Sequence, residues 1–150
     1  MKLLLTTILA AAGIIACAQE GNLARGKQVQ ASSVENQRLK PEFAVDGNKT
    51  TRWASRPRND PQWFCVDLGE VKKVGRVVIL WERASARDYK IQLSSDGKKW
   101  VDAVWKKDGK GGTETLSFPQ QDARFVRFAG QFRTQAANGY SFWEFQVFEQ

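Results

Sequence analysis

Apolar and polar residues alternate with a period of two along much of this chain. Tyr89-Lys90-Ile91-Gln92-Leu93-Ser94 turns every second side chain to one face, as a half-buried strand does. Phe142 to Glu149 repeats the pattern and puts Trp143, Phe145 and Val147 on one face. Gly75 to Trp81 and Arg124 to Phe128 are β-branched and aromatic runs of strand type. Trp63 to Leu68 and Thr115 to Phe118 add two more. Turn residues separate these runs at Asp46-Gly47, Ser95-Asp96-Gly97, Asp108-Gly109 with Gly111-Gly112, and Asn138-Gly139. No helical period of any length follows the first residues. Six to eight short strands without helices predict an all-β fold, an antiparallel β-sandwich.

The first residues follow a different rule. MKLLLTTILAAAGIIACAQ places one Lys ahead of an apolar run from Leu3 to Ala16 and then small residues, the layout of a secretory signal. It is too short and wrongly flanked for a spanning helix. Two endings fit it. Ala16-Cys17-Ala18 suits ordinary cleavage after Ala18, and Ile14-Ile15-Ala16-Cys17 resembles a bacterial lipobox that would make Cys17 a lipidated N-terminus. The expected organisation is a signal over residues 1–17 and one domain over 21–150. Export to the cell envelope follows, either secreted or lipid-anchored, facing the periplasm or the surface.

Composition narrows the chemistry. Six Trp and nine Phe supply the bulk for a packed interior. With Cys17 cut away or lipidated, Cys65 has no partner for an internal disulfide, and Trp63-Phe64-Cys65-Val66 reads as a run where it is a small buried hydrophobe. The net charge of +7 favours an anionic partner. Export argues against nucleic acid. The chain contains no histidine, which removes His triads, His metal sites and the commonest general base.

Read in order, the motifs resemble those of the discoidin domain, also called the coagulation factor V/VIII type C domain, whose bacterial members include the family 32 carbohydrate-binding modules. The matching pieces begin with Asn22-Leu23-Ala24-Arg25-Gly26-Lys27, Ala31-Ser32-Ser33, Ala44-Val45-Asp46-Gly47-Asn48 and Thr51-Arg52-Trp53-Ala54-Ser55. Gln62-Trp63 with Val66-Asp67-Leu68-Gly69, Trp81-Glu82, Tyr89, and Ser95-Asp96-Gly97 with Trp100 continue the series. Ala123-Arg124-Phe125-Val126-Arg127 and Gly139-Tyr140-Ser141-Phe142-Trp143-Glu144 complete it. The resemblance implies a jelly-roll-like sandwich, in agreement with the strand count.

Asp46-Gly47-Asn48-Lys49-Thr50-Thr51-Arg52-Trp53 offers hard oxygen donors in a tight turn, a setting that suits calcium. An EF-hand is excluded: counted from Asp46, the Gly position holds Thr51 and the closing Glu position holds Pro57. The resemblance implies a structural calcium ion held by Asp46, Thr51 and Glu144 with main-chain oxygens of Phe43, Asn48 and Trp143. The alternative is an Asx-turn in which Asp46 caps its own loop without metal.

The resemblance also implies a glycan site on loops at one end of the sandwich. Its contacts would be Glu35, Arg52, Glu82 and Tyr140, with Arg56 beside them. Carboxylates and guanidinium make charge-assisted hydrogen bonds to hydroxyls, and an aromatic face packs on a pyranose. Arg56-Pro57-Arg58 stands where related modules often place an aromatic, which leans the expected ligand towards an acidic or substituted glycan over a neutral glucan. Each residue has a plainer reading. Arg52 and Glu82 could be a salt bridge, Glu35 a solvated charge, and Tyr140 a half-buried strand residue. Trp53, Trp63, Trp81, Trp100 and Trp143 read as packing residues.

The expected protein is thus a monomeric, non-catalytic carbohydrate-binding domain, touching a membrane only through a lipid anchor. The alternative is an adhesion or assembly module for a protein or an anionic lipid. No carboxylate pair stands out by motif as a glycosidase would require.

Overall fold

The computed structural model describes residues 21–150. Residues 1–17, where the sequence predicts a signal, and Cys17 with them, lie outside the described residues. Seven strands run in the order β1 (Gln28–Ala31), β2 (Trp53–Ala54), β3 (Gln62–Trp81), β4 (Ala86–Ser94), β5 (Val101–Lys106), β6 (Thr113–Arg133) and β7 (Ser141–Phe148). A 3-10 turn, Pro41–Ala44, lies between β1 and β2. All pairings are antiparallel, in the order β2-β7-β3-β6-β4-β5 with β1 on β3.

Two strands are far longer than the pattern predicts. Trp63–Leu68 and Gly75–Trp81 are halves of β3, and Thr115–Phe118 and Arg124–Phe128 are halves of β6. Gly69, Gly75 and Pro119 read as strand breaks, yet the ladder absorbs them through register shifts between Asp67 and Lys72 and between Val74 and Arg76. Such bulges bend a strand without ending it. The N-terminal half of β3 pairs with β1 and the C-terminal half of β6, and its other half lies between the start of β6 and β7. The sheet therefore folds over on itself and encloses one core as a sandwich.

Aromatic rings dominate that core. Trp53 packs against Phe64 and Phe142 with ring centroids 5.3 and 4.9 Å apart, and Trp81 against Tyr89, Phe128 and Phe142 at 5.5–5.6 Å. Such pairs add about 0.5–1.5 kcal/mol each beyond the burial of their area. β7 differs from its expected alternation. Leu80 pairs with Glu144 and Trp81 with Phe142, so Trp143 is the extra residue of a bulge. Phe142 accordingly joins Phe145 and Val147 in the core, and Trp143 is only half-buried. Cys65 also departs from expectation: it is half-buried on the outward side of β3, between the inward Phe64 and Val66.

Candidate functional site

A cleft of about 300 Å³ opens at one end of the sandwich, where the loop before β2, the β3–β4 connection and the β6–β7 loop converge. Glu35, Arg52, Glu82 and Tyr140, dispersed in sequence, all line it. Arg56 is not among its lining residues; it is exposed and turned to solvent.

Hydrogen bonds set the three walls. The Glu35 segment is fixed to β2 by the Glu35 amide on the Ala54 carbonyl (2.8 Å) and by the Trp53 indole N–H on the Ser33 carbonyl (3.1 Å). Ser141 is the hub. Its Oγ accepts from Arg52 Nη1 at 2.7 Å and donates to the Trp53 carbonyl at 2.8 Å. Its amide donates to the Ala84 carbonyl at 2.7 Å, and its own carbonyl accepts the Glu82 amide at 3.0 Å. Arg52 also lies over the Trp143 ring at 5.8 Å. Its orientation is set before any ligand arrives.

The carboxylates stand otherwise. Glu82 Oε2 accepts the Ala84 amide at 3.1 Å, while Oε1 has no protein donor among the described residues. Glu35 is exposed, and among the described residues its carboxylate accepts no hydrogen bond and joins no ion pair. Neither forms an ion pair with Arg52, so the salt-bridge reading of Arg52 and Glu82 is set aside. Arg83 also lines the cleft and is exposed.

Tyr140 requires a correction. Its side chain is fully buried, with its ring 5.4 Å from Phe128 and its hydroxyl donating to Asp60. No ring face is left for a sugar, so Tyr140 belongs to the floor of the cleft. Asp60 also accepts from Arg133 Nε at 2.9 Å, and Arg133 Nη1 reaches the carbonyls of Ala136 (2.6 Å) and Asn138 (3.0 Å). Arg133 thus holds the 134–139 loop, which supplies Ala137, Asn138 and Gly139 to the cleft. The sequence marks Asn138-Gly139 only as a turn and carries no signal that Ser141 or this loop belongs to the site. Arg87 does not line the cleft; it lies 3.4 Å from Asp88 and over Phe132.

The Asp46 loop meets β7 at Glu144. Asp46 Oδ1 accepts the Asn48 amide (2.8 Å), the Asx-turn that the sequence left open. Thr51 Oγ1 lies 2.6 Å from Asp46 Oδ2 and 3.1 Å from the Asn48 carbonyl. Gly47, at φ 79°, adopts a backbone that glycine takes at no steric cost and aims its amide at Glu144 Oε1 (2.9 Å). Glu144 is fully buried and its Oε2 has no partner among the described residues. Burial, together with the neighbouring Asp46 carboxylate and against the pull of the Gly47 amide, pushes its carboxyl up to about 8. An orphaned buried carboxylate oxygen beside a second carboxylate, a hydroxyl and a carbonyl is a donor set that a hard divalent cation fits. Phe43 and Trp143 flank it, one in the 3-10 turn and one at the bulge. Among the described residues no group of three or more acidic, Cys or His side chains is placed to hold a metal, so Asp46 and Glu144 are the two carboxylates this site brings together.

The comparisons agree with this architecture. The F5/F8 type C model described as a NedA-like, galactose-binding domain matches residues 43–128. Chitosan-binding module 1 of a chitosanase/glucanase from Paenibacillus sp. IK-5 is 41% identical, with a TM-score of 0.82 over 85% of this chain and 98% of that one. Module 2 of the same enzyme, solved with chitotriose, is 38% identical with a TM-score of 0.82, covering 85% of this chain and 99% of that one. A polysaccharide lyase 8 family protein, HylA of Enterococcus faecalis, is 39% identical over 114 residues, 68% of this chain. This chain spans only 8% of the lyase's length. From fold, motifs and matches alike, the chain belongs to the F5/F8 type C, galactose-binding-like domain family.

Proposed function

We propose that the domain is a non-catalytic glycan-binding module whose end cleft takes a glucosamine-containing chain of the chitosan type. The observation that carries this reading is the pair of carboxylates, Glu35 and Glu82, that line the cleft without a cationic partner, while Arg52 is already engaged by Ser141 and Trp143. An ammonium group on the sugar would meet the free carboxylates, and hydroxyls would meet Arg52. The similarity to modules that bind chitosan supports it. The leaning towards an acidic glycan rests on Arg56 and Arg58, and both lie outside the cleft lining, which takes only Pro57 from this run.

Native affinity electrophoresis tests this with glycol chitosan, alginate and laminarin in the gel. Retardation by glycol chitosan is expected, weakened about ten- to a hundredfold in Glu82→Gln, the scale of one hydrogen bond to a charged group. Retardation by laminarin or alginate that survives Glu35→Gln/Glu82→Gln would overturn the reading.

A calcium ion at the Asp46 loop is part of the same proposal. Asp46, Thr51 and Glu144 would hold it, with main-chain oxygens of Phe43, Asn48 and Trp143. As the bulged residue, Trp143 stands outside the β3 pairing, which supports its role. The ion would neutralise the two carboxylates and tie the loop to the end of the chain. Export by the N-terminal segment and lipidation at Cys17 stand as proposals alongside it. Neither bears on the cleft.

A further inference from the structure

A larger recess lies on the outward face of the sheet, sharing no residue with the end cleft. β3 turns Phe64, Val66 and Leu68 into the core, so Trp63, Cys65 and Asp67 face out. β1 flanks them with Gln28 opposite Asp67 and Gln30 opposite Cys65. β6 flanks the other side with Phe125 and Arg127. Two hollows of about 400 and 240 Å³ share Gln30, Cys65 and Phe125. Together they make one trough along β3, with Trp63 and Trp100 at one end and Lys27 at the other. From Trp63 to Asp67 it is about 13 Å long at the rise of a strand.

The charge in this trough is unequally satisfied. Asp67 is held bidentately by Arg124 at 2.8 and 2.9 Å, outside its ordinary freedom to pair elsewhere. Asp102, the next acid along the row, is taken by Lys90 (2.7 Å) and Gln92 (2.8 Å). Arg127 has one fixed bond, from Nε to Gln92 Oε1 at 2.9 Å, and its guanidinium lies 3.8 Å from the centre of the Trp100 ring. No carboxylate reaches ion-pair distance of Arg127 among the described residues. Glu42, exposed at the far rim beside Lys27, is the acid left over. A half-buried guanidinium with free N–H groups, flanked by side-chain amides and indoles, matches a carboxylate on a hydroxyl-rich chain.

We propose that the trough is a second glycan site, taking an acidic, uronate-bearing oligosaccharide with a sugar carboxylate on Arg127, hydroxyls on Gln28 and Gln30, and rings against Trp63 and Trp100. The two sites then differ in which charge is left unpaired: Glu35 and Glu82 beside Arg52 and Arg83 at the end cleft, and Arg127 on the sheet face, where Asp67 is already paired with Arg124. A neutral or amino sugar in the trough would leave the Arg127 charge unmatched. A lipid surface is disfavoured by placement, since the exposed Val71, Val101, Trp105 and Phe132 lie outside the trough lining.

The six indole N–H signals of a nitrogen-15 spectrum read the site directly. Titration with trigalacturonate should move the Trp63 and Trp100 indoles. Both Arg127→Gln and the exposed-residue variant Gln30→Ala should weaken that response, Arg127→Gln by about tenfold or more, as for a lost charge-assisted bond. Glu82→Gln should leave it unchanged. The inference is overturned if those two indoles stay still, if folded Arg127→Gln responds as strongly as the parent, or if Glu82→Gln abolishes the response. Movement of the same indoles by phosphatidylglycerol vesicles but not by trigalacturonate would also overturn it. A chitotriose titration in the same samples reads the end cleft separately, so failure of one site does not imply failure of the other.

Discussion

Gly139 lies against Ser55 so closely that a methyl group on its Cα would sit 2.5 Å from Ser55 Oγ and 2.6 Å from the Ser55 carbonyl oxygen. Ser55 and Tyr140 also exchange two hydrogen bonds, Ser55 amide to Tyr140 carbonyl at 2.8 Å and Tyr140 amide to Ser55 Oγ at 2.9 Å. This contact joins two walls of the end cleft, and the obstructing atoms include rigid backbone. Gly139→Ala should therefore destabilise the domain by about 1–3 kcal/mol, the cost of overpacking a close contact. It should also weaken chitosan retardation, because Asn138 and Ser141 move with it. Urea unfolding and affinity electrophoresis on one sample check both effects.

Tyr140→Phe separates a floor residue from a ligand contact. Losing the phenol leaves Asp60 with Arg133 alone on that side. Stability should fall by about 1.5–3 kcal/mol, the range for a hydrogen bond to a charged acceptor. Affinity for glycol chitosan should stay within about twofold, because the ring presents no face to the cleft. A large loss of affinity with unchanged unfolding would restore Tyr140 as a sugar contact.

How far the sequence reveals this site follows from what kind of fact each residue carries. The sandwich is legible in the alternation of β4 and in the aromatic runs, because burial on one face writes a period of two. β5 is not, since Val101 and Trp105 on this edge strand are more than half exposed and give no contrast with their neighbours. The bulge at Trp143 is equally invisible: one extra residue inverts the faces of Phe142 and Trp143 without altering composition. Glu35, Arg52 and Glu82 could be named through family resemblance, but nothing local showed that they meet. The fate of Tyr140 turned on Asp60, eighty residues earlier in the chain, and no spacing rule connects them.

Calcium should raise stability in a way that depends on Glu144. At a calcium concentration a hundred times Kd, linkage gives about 2.7 kcal/mol. The melting temperature should rise on calcium addition and fall with EDTA. Glu144→Gln keeps the shape of the side chain and its contact with the Gly47 amide, and spares the metal-free fold the cost of holding this carboxyl protonated beside Asp46 up to a pH of about 8. That variant should melt higher than the parent in EDTA and show no calcium response. A parent whose melting temperature ignores both calcium and EDTA would remove the metal from the proposal.

Cys65 should be a slow thiol whose reactivity reports the integrity of the sheet. Burial pushes its pKa from 9.0 up to about 11; Arg127 pulls the other way, and Asp67 adds to the rise. The thiolate is the nucleophile, so below pH 9 the folded protein holds about a hundredfold less of it than the unfolded chain. Iodoacetamide at pH 8 should therefore react far more slowly with native protein than with protein in urea. The native rate should climb about tenfold per pH unit until the titration near 11. The sign for stability follows. The unfolded thiol ionises first as pH rises, so the contribution is whole below 9 and lost between 9 and 11. Removing Arg127 takes away the cation that favours the thiolate, so Arg127→Gln should slow alkylation further in the folded state. A native rate at pH 8 equal to that in urea would contradict the half-buried placement of Cys65 on β3.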